Sequence, residues 1–550
     1  MANSSYKTPV DMFYQWEEQK ANEVFFHQPY AGKYDTYTWA EVGRQVRAIA
    51  TSLKNMGLPK GSRIGLVSKN CAHWIMADLA IMISGHVSVP IYPNVSARAL
   101  NYVLTHSGAE VLFVGKLDDW GSMKDGLVEG VRCIKFPKYP SGPYEDWDDI
   151  VAANEGVKGK PGRDLDELMT IIYTSGTTGV PKGVMHNFRS FSFAATNGLK
   201  MIDPGADGRL FSYLPLSHIA ERLVIEAACL YLGIPVYFAE SLDTFPQNLQ
   251  TASPTIFLGV PRIWAKFREK ILDKLPQNRL NILFAIPFLA GFIKKKIRTQ
   301  LGLNNVVHAL TGAAPTPPSL IKWYEKLGIK IQEVYGMTEN SAYSHYTRKD
   351  NIKIGYTGQP MPHVDVKISD VGEILVKSEA NMVGYYKMPE KTAASFEDGY
   401  LKTGDKGQVD SEGFLKITGR VKDIFKTAKG KYIAPNPIEL SIAKDQYVGQ
   451  VCVVGRGLVQ PIALIVLAEG VDRDAERDDI SESLTETITD LNKKLAKHEK
   501  LKAAVVVKGD WTPENELVTP TLKIKRSAID AKYEENYERW HDDPKVTVWE

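Results

Sequence analysis

Short apolar runs alternate with helix-period stretches through the first half of the chain. Arg63-Ile64-Gly65-Leu66-Val67 has the length and bulk of a buried strand, and Val87 to Tyr92 and Val111-Leu112-Phe113-Val114 read the same way. Between them, Cys71 to Ser84 predicts a mostly buried helix, and Ser96 stands where it would cap another running to about His106. Strand and helix in strict alternation predict stacked α/β layers, because parallel strands need a crossover element between them. Similar units recur at Pro235-Val236-Tyr237-Phe238, at Thr255-Ile256-Phe257-Leu258 and from Ile329 to Val334, without a fixed-period repeat.

Near residue 362 the pattern changes. Val364-Asp365-Val366-Lys367-Ile368 and Glu373-Ile374-Leu375-Val376-Lys377 alternate in polarity, which predicts half-exposed antiparallel strands. Beyond Gly419-Arg420 a small α+β unit is expected. It has a glycine-containing hairpin from Phe425 to Ile433, a helix entered through Asn436-Pro437, strands at Val451 to Val454 and Ile462 to Leu467, a charged helix within 472–500 and a strand from Ala503 to Val507. The expected division is therefore a large multilayer α/β body, residues 1–420, and a smaller C-terminal domain, residues 421–550.

Composition narrows the function classes. The 550 residues are 44% hydrophobic and 24% charged, and 67 Lys and Arg against 65 Asp and Glu leave a formal charge of +2. Such a chain buries a large core and has no basic field with which to wrap nucleic acid. Cys71, Cys133, Cys229 and Cys452 lie far apart with no CxxC among them, so neither a zinc ribbon nor a disulfide framework is indicated. The polar start, Met-Ala-Asn-Ser-Ser-Tyr-Lys, lacks an apolar signal core, and a cytoplasmic location is expected. The longest apolar stretch, Asn281 to Ile293, contains Pro287 and Gly291 and runs into Lys294-Lys295-Lys296. It falls short of the roughly 20 residues of a membrane span. It reads as a buried helix with a solvated basic end; the competing reading lays it on a membrane surface with its lysines at the headgroups.

The most informative stretch is Ile171-Ile172-Tyr173-Thr174-Ser175-Gly176-Thr177-Thr178-Gly179-Val180-Pro181-Lys182-Gly183, an apolar strand entering a loop dense in glycine and hydroxyls and closed by a lysine. Glycines let backbone N–H groups approach an anion, hydroxyls donate to phosphate oxygens, and Lys182 offsets polyphosphate charge. Pro181 before the lysine and Gly183 after it exclude the Walker pattern, which ends Gly-Lys-Ser/Thr.

The run Tyr-Thr-Ser-Gly-Thr-Thr-Gly-Val-Pro-Lys-Gly resembles the AMP-binding loop of the adenylate-forming superfamily, which includes acyl-CoA synthetases, peptide-synthetase adenylation domains and firefly luciferase. Further motifs follow in the family's order, so the resemblance spans roughly residues 30–526. It implies that Thr174, Ser175, Gly176, Thr177, Thr178, Gly179 and Lys182 bind the nucleotide's phosphates. Leu214-Pro215-Leu216-Ser217-His218-Ile219-Ala220-Glu221-Arg222 resembles the second motif in its long-chain fatty-acid form, with His218 near the substrate carboxylate. Gly312, Ala313 and Ala314 would lie at the adenine. Gln332-Glu333-Val334-Tyr335-Gly336-Met337-Thr338-Glu339 would bring Glu333, Tyr335 and Gly336 to the purine and Thr338 to the α-phosphate. Glu339, with Thr174, would serve Mg²⁺, a hard cation that takes carboxylate oxygens alongside phosphates.

Tyr400-Leu401-Lys402-Thr403-Gly404-Asp405 resembles the ribose motif, with Asp405 accepting from the sugar hydroxyls and Arg420 adding a donor. Lys422 falls at the family's hinge, about which the C-terminal domain is mobile. Gly430 would line the pantetheine tunnel, although Lys429-Gly430-Lys431-Tyr432 departs from the Gly-Gly-Glu-Asn of many relatives. Thr519-Pro520-Thr521-Leu522-Lys523-Ile524-Lys525-Arg526 resembles the catalytic-lysine motif. Its register makes Lys523 the candidate and Lys525 the fallback, with Leu522 where most relatives carry glycine.

The implied activity is an AMP-forming fatty acid–CoA ligase that uses ATP, Mg²⁺ and coenzyme A on a medium- to long-chain acid. Gly259-Val260-Pro261-Arg262-Ile263-Trp264 also resembles the long-chain branch, and Trp264 is either a gate to an acyl tunnel or core packing. Three alternatives stay open at this point: a fatty acyl-AMP ligase loading a carrier protein, a luciferase-like oxygenase, and a non-catalytic fatty-acid-binding protein.

Overall fold

The computed structural model describes residues 6–139, 142–174, 180–519 and 522–550. Strands Arg63–Val67, Val111–Val114, Glu373–Lys377 and Ile462–Leu467 have the bounds that the polarity pattern predicts. Helix Ala72–Ser84 starts after Cys71, and helix Ala97–Ser107 starts after Ser96, whose hydroxyl accepts from the Ala99 N–H.

The chain forms two compact units. The first runs to Thr174 and takes in Pro181–Val366 and Val376–Leu401; the second holds Lys367–Leu375 and Lys402–Glu550. Among the described residues, the first unit contains two large sheets. One has eight strands and is mostly parallel, from edge strand Gly384–Tyr385 through Lys182–Asn187, Leu168–Thr174, Val87–Ile91 and Arg63–Val67 to Val111–Val114 and beyond. The other has nine and includes His345–Tyr346, Ile331–Tyr335, His308–Thr311, Ile256–Leu258, Leu210–Ser212 and Val236–Phe238 in adjacent order. Helix Ala72–Ser84 is buried along its whole length and shares one apolar cluster with strand residues of both sheets, such as Leu66 and Phe113 of one and Phe26 and Val236 of the other. A helix apolar all round has to lie inside, which is why this one forms the central layer.

In the second unit, Val448–Val454 runs antiparallel to Ile462–Leu467, followed by parallel neighbours Ala504–Val506 and Thr547–Trp549. Alternate residues of these strands enter different clusters. Cys452, Leu464 and Val505 join Ile529, Tyr533 and Trp540, whereas Val453, Ile465 and Val506 join Ile438, Ile480 and Leu484. Helices cover both faces, so these strands read as continuous apolar runs.

Three expectations need correction. The helix expected at Asn436-Pro437 runs from Pro435 to Ile442 after Ala434, with Pro435 in its opening turn. The charged helix of 472–500 is confined to Arg477–Lys494. The stretch Asn281 to Ile293 is not one buried helix. It breaks into Gln277–Ala285 and Pro287–Gln300, because Pro287 forces Ile286 out of helical geometry (φ −95°, ψ 108°) and starts a new helix itself. None of the segment's residues is fully buried; Leu280, just before it, is, while Ile282, Ile286, Phe288 and Phe292 are exposed.

Candidate active site

Leu168–Thr174 and Lys182–Asn187 form an antiparallel hairpin in which Tyr173 faces Gly183 and Thr174 faces Lys182. Thr174 and Lys182 are thus cross-strand partners closing the base of the glycine-rich loop. Ser175, Gly176, Thr177, Thr178 and Gly179 lie outside the described residues. The Lys182 Nζ sits over the ring of Tyr385, 4.5 Å from its centroid. Tyr385 is held on the edge strand beside Val184 and donates its hydroxyl to Glu339 Oε1 at 2.8 Å. Burial and the neighbouring Glu339 carboxylate push the Tyr385 phenol well above its usual range, so it stays a donor. One tyrosine therefore connects the loop lysine with the candidate Mg²⁺ carboxylate.

A second brace lies on the same hairpin. His186 is buried, and its Nε2 lies 2.7 Å from the Thr338 carbonyl, with Ser190 and Ser341 hydroxyls at Nδ1. Burial pushes its pKa down to about 4, so at neutral pH the ring is uncharged and donates one hydrogen bond to that carbonyl. Neither Tyr385 nor His186 was singled out from the sequence. A period of two from Lys182 through Val184 would have put His186 on the lysine's face, whereas no local signal points to Tyr385.

Strand Ile331–Tyr335 brings Glu333 opposite Thr311 and ends at Tyr335, whose ring lies 5.9 Å from that of His345 on the next strand. Burial pushes the Glu333 carboxyl up to about 8. Gly336 is required by space, since a Cβ there would come within 2.5 Å of the Ala342 backbone. At Gly312 a Cβ would meet Val334 at 2.6 Å, and Ala313 adopts a left-handed φ of +64°. Both strand ends are thereby kept close and flat.

His218 N-caps the short helix Ile219–Glu221, its Nδ1 accepting from the Ala220 N–H at 3.2 Å. The neutral ring then carries its proton on Nε2. The helix continues through a π-turn, Arg222–Ala227, into Ala228–Leu232. Ala220, Leu223, Val224 and Ala228 of this segment face Leu310 and Val334 across an apolar cavity of about 70 Å³. Glu221 and Arg222 turn away into the core. Glu221 accepts from Asn70, Ser212 and the Tyr213 N–H. Arg222 pairs with Asp78 at 2.5 Å and Glu226 at 2.7 Å. Trp264 is core packing, fully buried against Phe257 and Tyr324 with its indole N–H on the Leu310 carbonyl.

In the second unit, Asp405 and Arg420 face each other on paired strands, and the Arg420 Nε donates to Asp405 Oδ1 at 2.7 Å. Lys422 is exposed in the turn that follows, and Gly430 is exposed in a hairpin turn at φ +73°. Lys523 is exposed; its N–H donates to the Thr519 hydroxyl, and its carbonyl accepts from the Thr519 N–H. Leu522 before it has φ +61°, the conformation that a glycine takes without cost. Lys525 is half-buried and leads into helix Arg526–Tyr533. Arg526 anchors that helix, reaching both Glu439 oxygens at 2.6 Å and Asp423 at 3.3 Å.

Among the described residues no group of three or more His, Cys, Asp or Glu is gathered to hold a metal. A single carboxylate, anchored at one oxygen by Tyr385, suits a cation that completes its shell with phosphates and water, as Mg²⁺ does.

The chain as a whole matches AMP-binding enzymes. A model of the AMP-binding enzyme family matches residues 13–386, and one of the AMP-binding enzyme C-terminal domain matches residues 422–543. The chain belongs to this adenylate-forming superfamily, in its long-chain acyl-CoA synthetase branch. It is 29% identical to the long-chain-fatty-acid–CoA ligase FadD15 of Mycobacterium bovis, covering 96% of each chain. It is 29% identical to the peroxisomal long chain acyl-CoA synthetase 6 of Arabidopsis thaliana, over 90% of this chain and 80% of that one. It is 30% identical to the long-chain-fatty-acid–CoA ligase ACSBG2 of Rattus norvegicus, over 74% and 69%. Its fold resembles that of the anthranilate CoA ligase AuaEII in complex with anthranoyl-AMP, with a TM-score of 0.78 at 22% identity over 97% and 98% of the chains. It also resembles the A-PCP didomain of carboxylic acid reductase from Segniliparus rugosus in complex with AMP, with a TM-score of 0.82 at 20% identity over 98% and 83%.

Proposed function

We propose that this chain is an AMP-forming acid–CoA ligase that activates a medium- to long-chain fatty acid. In the first half-reaction the fatty carboxylate attacks the α-phosphorus of ATP, the bond to the β-phosphate oxygen breaks, and acyl-adenylate and pyrophosphate result. In the second, the CoA thiol attacks the acyl carbonyl, the bond to AMP breaks, and the thiol proton is released. No protein nucleophile is needed, because the adenylate is itself the activated species.

The observation that supports this reading most is the linked set Lys182–Tyr385–Glu339 at the base of the glycine-rich loop. Thr174, Lys182 and the loop between them would bind the phosphates, and Thr338, its carbonyl fixed by His186, would meet the α-phosphate. Gly312, Ala313, Ala314, Glu333, Tyr335 and Gly336 would enclose adenine, with Asp405 and Arg420 on the ribose. Mg²⁺, when bound, supplies charge neutralisation on the phosphates, and Glu339 with Thr174 would hold it. His218, capping the helix beside the cavity, would stand at the carboxylate end of the acid. Lys523 would offset charge in adenylation, and such fixed electrostatics is commonly the largest catalytic contribution. The left-handed φ of Leu522 supports this register over Lys525, since it puts this residue where the motif has glycine. Lys422 would be the hinge, and Gly430 would meet the pantetheine arm.

A water needs roughly 10–15 Å³ by the same measure, so the cavity of about 70 Å³ has room for a handful of waters. A long acyl chain would therefore displace Leu223, Val224 or their neighbours, and chain preference follows from how readily they yield.

The test is pyrophosphate release with ATP and Mg²⁺ across acids from acetate to oleate, with and without CoA. Pyrophosphate with medium- and long-chain acids, and acyl-CoA once CoA is present, is the expected result. Acyl-adenylate that ignores CoA but is consumed by a holo-carrier protein would reject CoA as the acceptor.

A further inference from the structure

The helical pair Gln277–Ala285 and Pro287–Gln300 has two apolar faces, and the core accounts for one of them. Leu280, Phe284, Ile293 and Ile297 pack into the cluster that contains Trp264 and Trp323. The other face is in water: Phe288 is 96% exposed, Ile282 64%, Phe292 63% and Ile286 46%. These four gather at the break between the helices, so they form a tip and are not scattered surface residues.

Charge is arranged behind that tip. Phe288, Phe292, Lys295 and Lys296 stand at helical spacings of four, seven and eight and therefore share one face. At 1.5 Å per residue, Lys296 trails Phe292 by about 6 Å and Phe288 by about 12 Å along the axis. Entered tip first to the roughly 5–10 Å that apolar side chains reach into the headgroup boundary, the helix would hold these lysines at lipid phosphates. From Leu275 to Gln300 the cations are Arg279, Lys294, Lys295, Lys296 and Arg298, and no Asp or Glu occurs, although the chain as a whole is near neutral at +2. Among the described residues no helix is long and apolar enough to cross a membrane, so any lipid contact of these helices is superficial.

We infer that this tip docks on an anionic phospholipid surface, Phe288 and Phe292 entering the headgroup boundary and the exposed Lys295 and Lys296 facing the phosphates. A neutral protein partner would have no use for an acid-free basic stretch behind the rings, whereas an anionic bilayer uses both halves of the pattern.

The test is co-sedimentation of the full chain with vesicles of phosphatidylcholine alone and of phosphatidylcholine mixed with phosphatidylglycerol. The chain should pellet with the anionic vesicles at low salt and be released by high salt. Lys295→Gln with Lys296→Gln should weaken this binding roughly 20- to 30-fold, about fivefold per lysine. Phe288→Ser with Phe292→Ser should weaken it at least ~10-fold. Both pairs are solvent-exposed, so melting midpoints and pyrophosphate release with a water-soluble acid should stay as in the native chain. A native chain that stays in the supernatant at low salt overturns the inference, as does undiminished binding by the serine variant. A concentration-dependent dimer that the serine variant dissolves, seen by light scattering, would assign the tip to a second copy and overturn it too. None of these readouts depends on the ligase reading.

Discussion

Leu522 is a residue at odds with its backbone. A φ of +61° costs a β-carbon-bearing residue about 1–2 kcal/mol, and glycine avoids that cost at an entropic penalty of about 0.5–1 kcal/mol. Since Leu522 is exposed and gives up little packing, Leu522→Gly should stabilise the second unit by up to about 1 kcal/mol, read as a raised urea midpoint. The neighbouring Lys523→Ala should slow adenylation by roughly 10²-fold or more while sparing thioester formation from preformed acyl-adenylate. Equal loss in both half-reactions would reject Lys523 as the adenylation lysine. Tyr385→Phe keeps the ring under Lys182 but removes the donor to Glu339. A hydrogen bond to a charged group is worth about 1.5–3 kcal/mol, so pyrophosphate release should fall about 10- to 160-fold. The half-saturating Mg²⁺ concentration should rise; an unchanged Mg²⁺ titration would mean that the tyrosine only packs.

At the scale of elements, the segment from His218 to Leu232 does two jobs. Its cavity side is apolar, while its core side inserts Arg222 among Thr170, Asp78 and Glu226. The π-turn over Arg222–Ala227 widens the helix where both demands meet. Asp78 and Glu226 share one guanidinium, and burial pushes the Glu226 carboxyl above its usual range. Arg222→Met would strand these groups and should cost about 3–5 kcal/mol in urea denaturation, with part recovered when Asp78→Asn and Glu226→Gln are added. Polarity patterns were sufficient for elements such as Arg63–Val67 and Ile462–Leu467, because a strand buried on both faces is an uninterrupted apolar run. They failed at Asn281 to Ile293, where an apolar stretch looks the same whether it is bound for the core or for the surface.

The whole molecule couples its stability to pH through buried groups of opposite sign. His73, His186 and His345 are held neutral, with burial lowering them to about 3, 4 and 3 from 6.5. Below pH 6.5 the unfolded chain binds protons that the folded one refuses, so this stability is present above 6.5 and lost as pH falls toward 4. Glu221 and Glu333 are raised from 4.5 to about 8, Glu226 is raised as well, and they act in the other direction, favouring the fold below 4.5 and withdrawing that support as pH rises to 8. His27, His86, His106 and His308 are lowered as well and Glu439 is raised, so the two slopes oppose each other between about 4.5 and 6.5; above 6.5 only the carboxyl slope remains, and the urea midpoint should fall as pH rises to 8. A midpoint that climbs steadily to pH 8 would contradict this. The division between chain and fold follows the same logic of distance. The glycine-rich stretch 174–182, Tyr335 to Glu339, Gly404-Asp405 and the stretch around Lys523 were legible as family motifs, as was the α/β order, because each is a contiguous stretch of sequence. The partners of those motifs were not legible. Tyr385 reaches Glu339 across 46 residues and His186 reaches Thr338 across 152, so only the packing of the edge strand and hairpin decides that they meet. Local spacing determines which backbone a segment adopts, whereas burial and long-range contact are properties of the folded whole, and those decided where the charges are held and which phenylalanines are left in water.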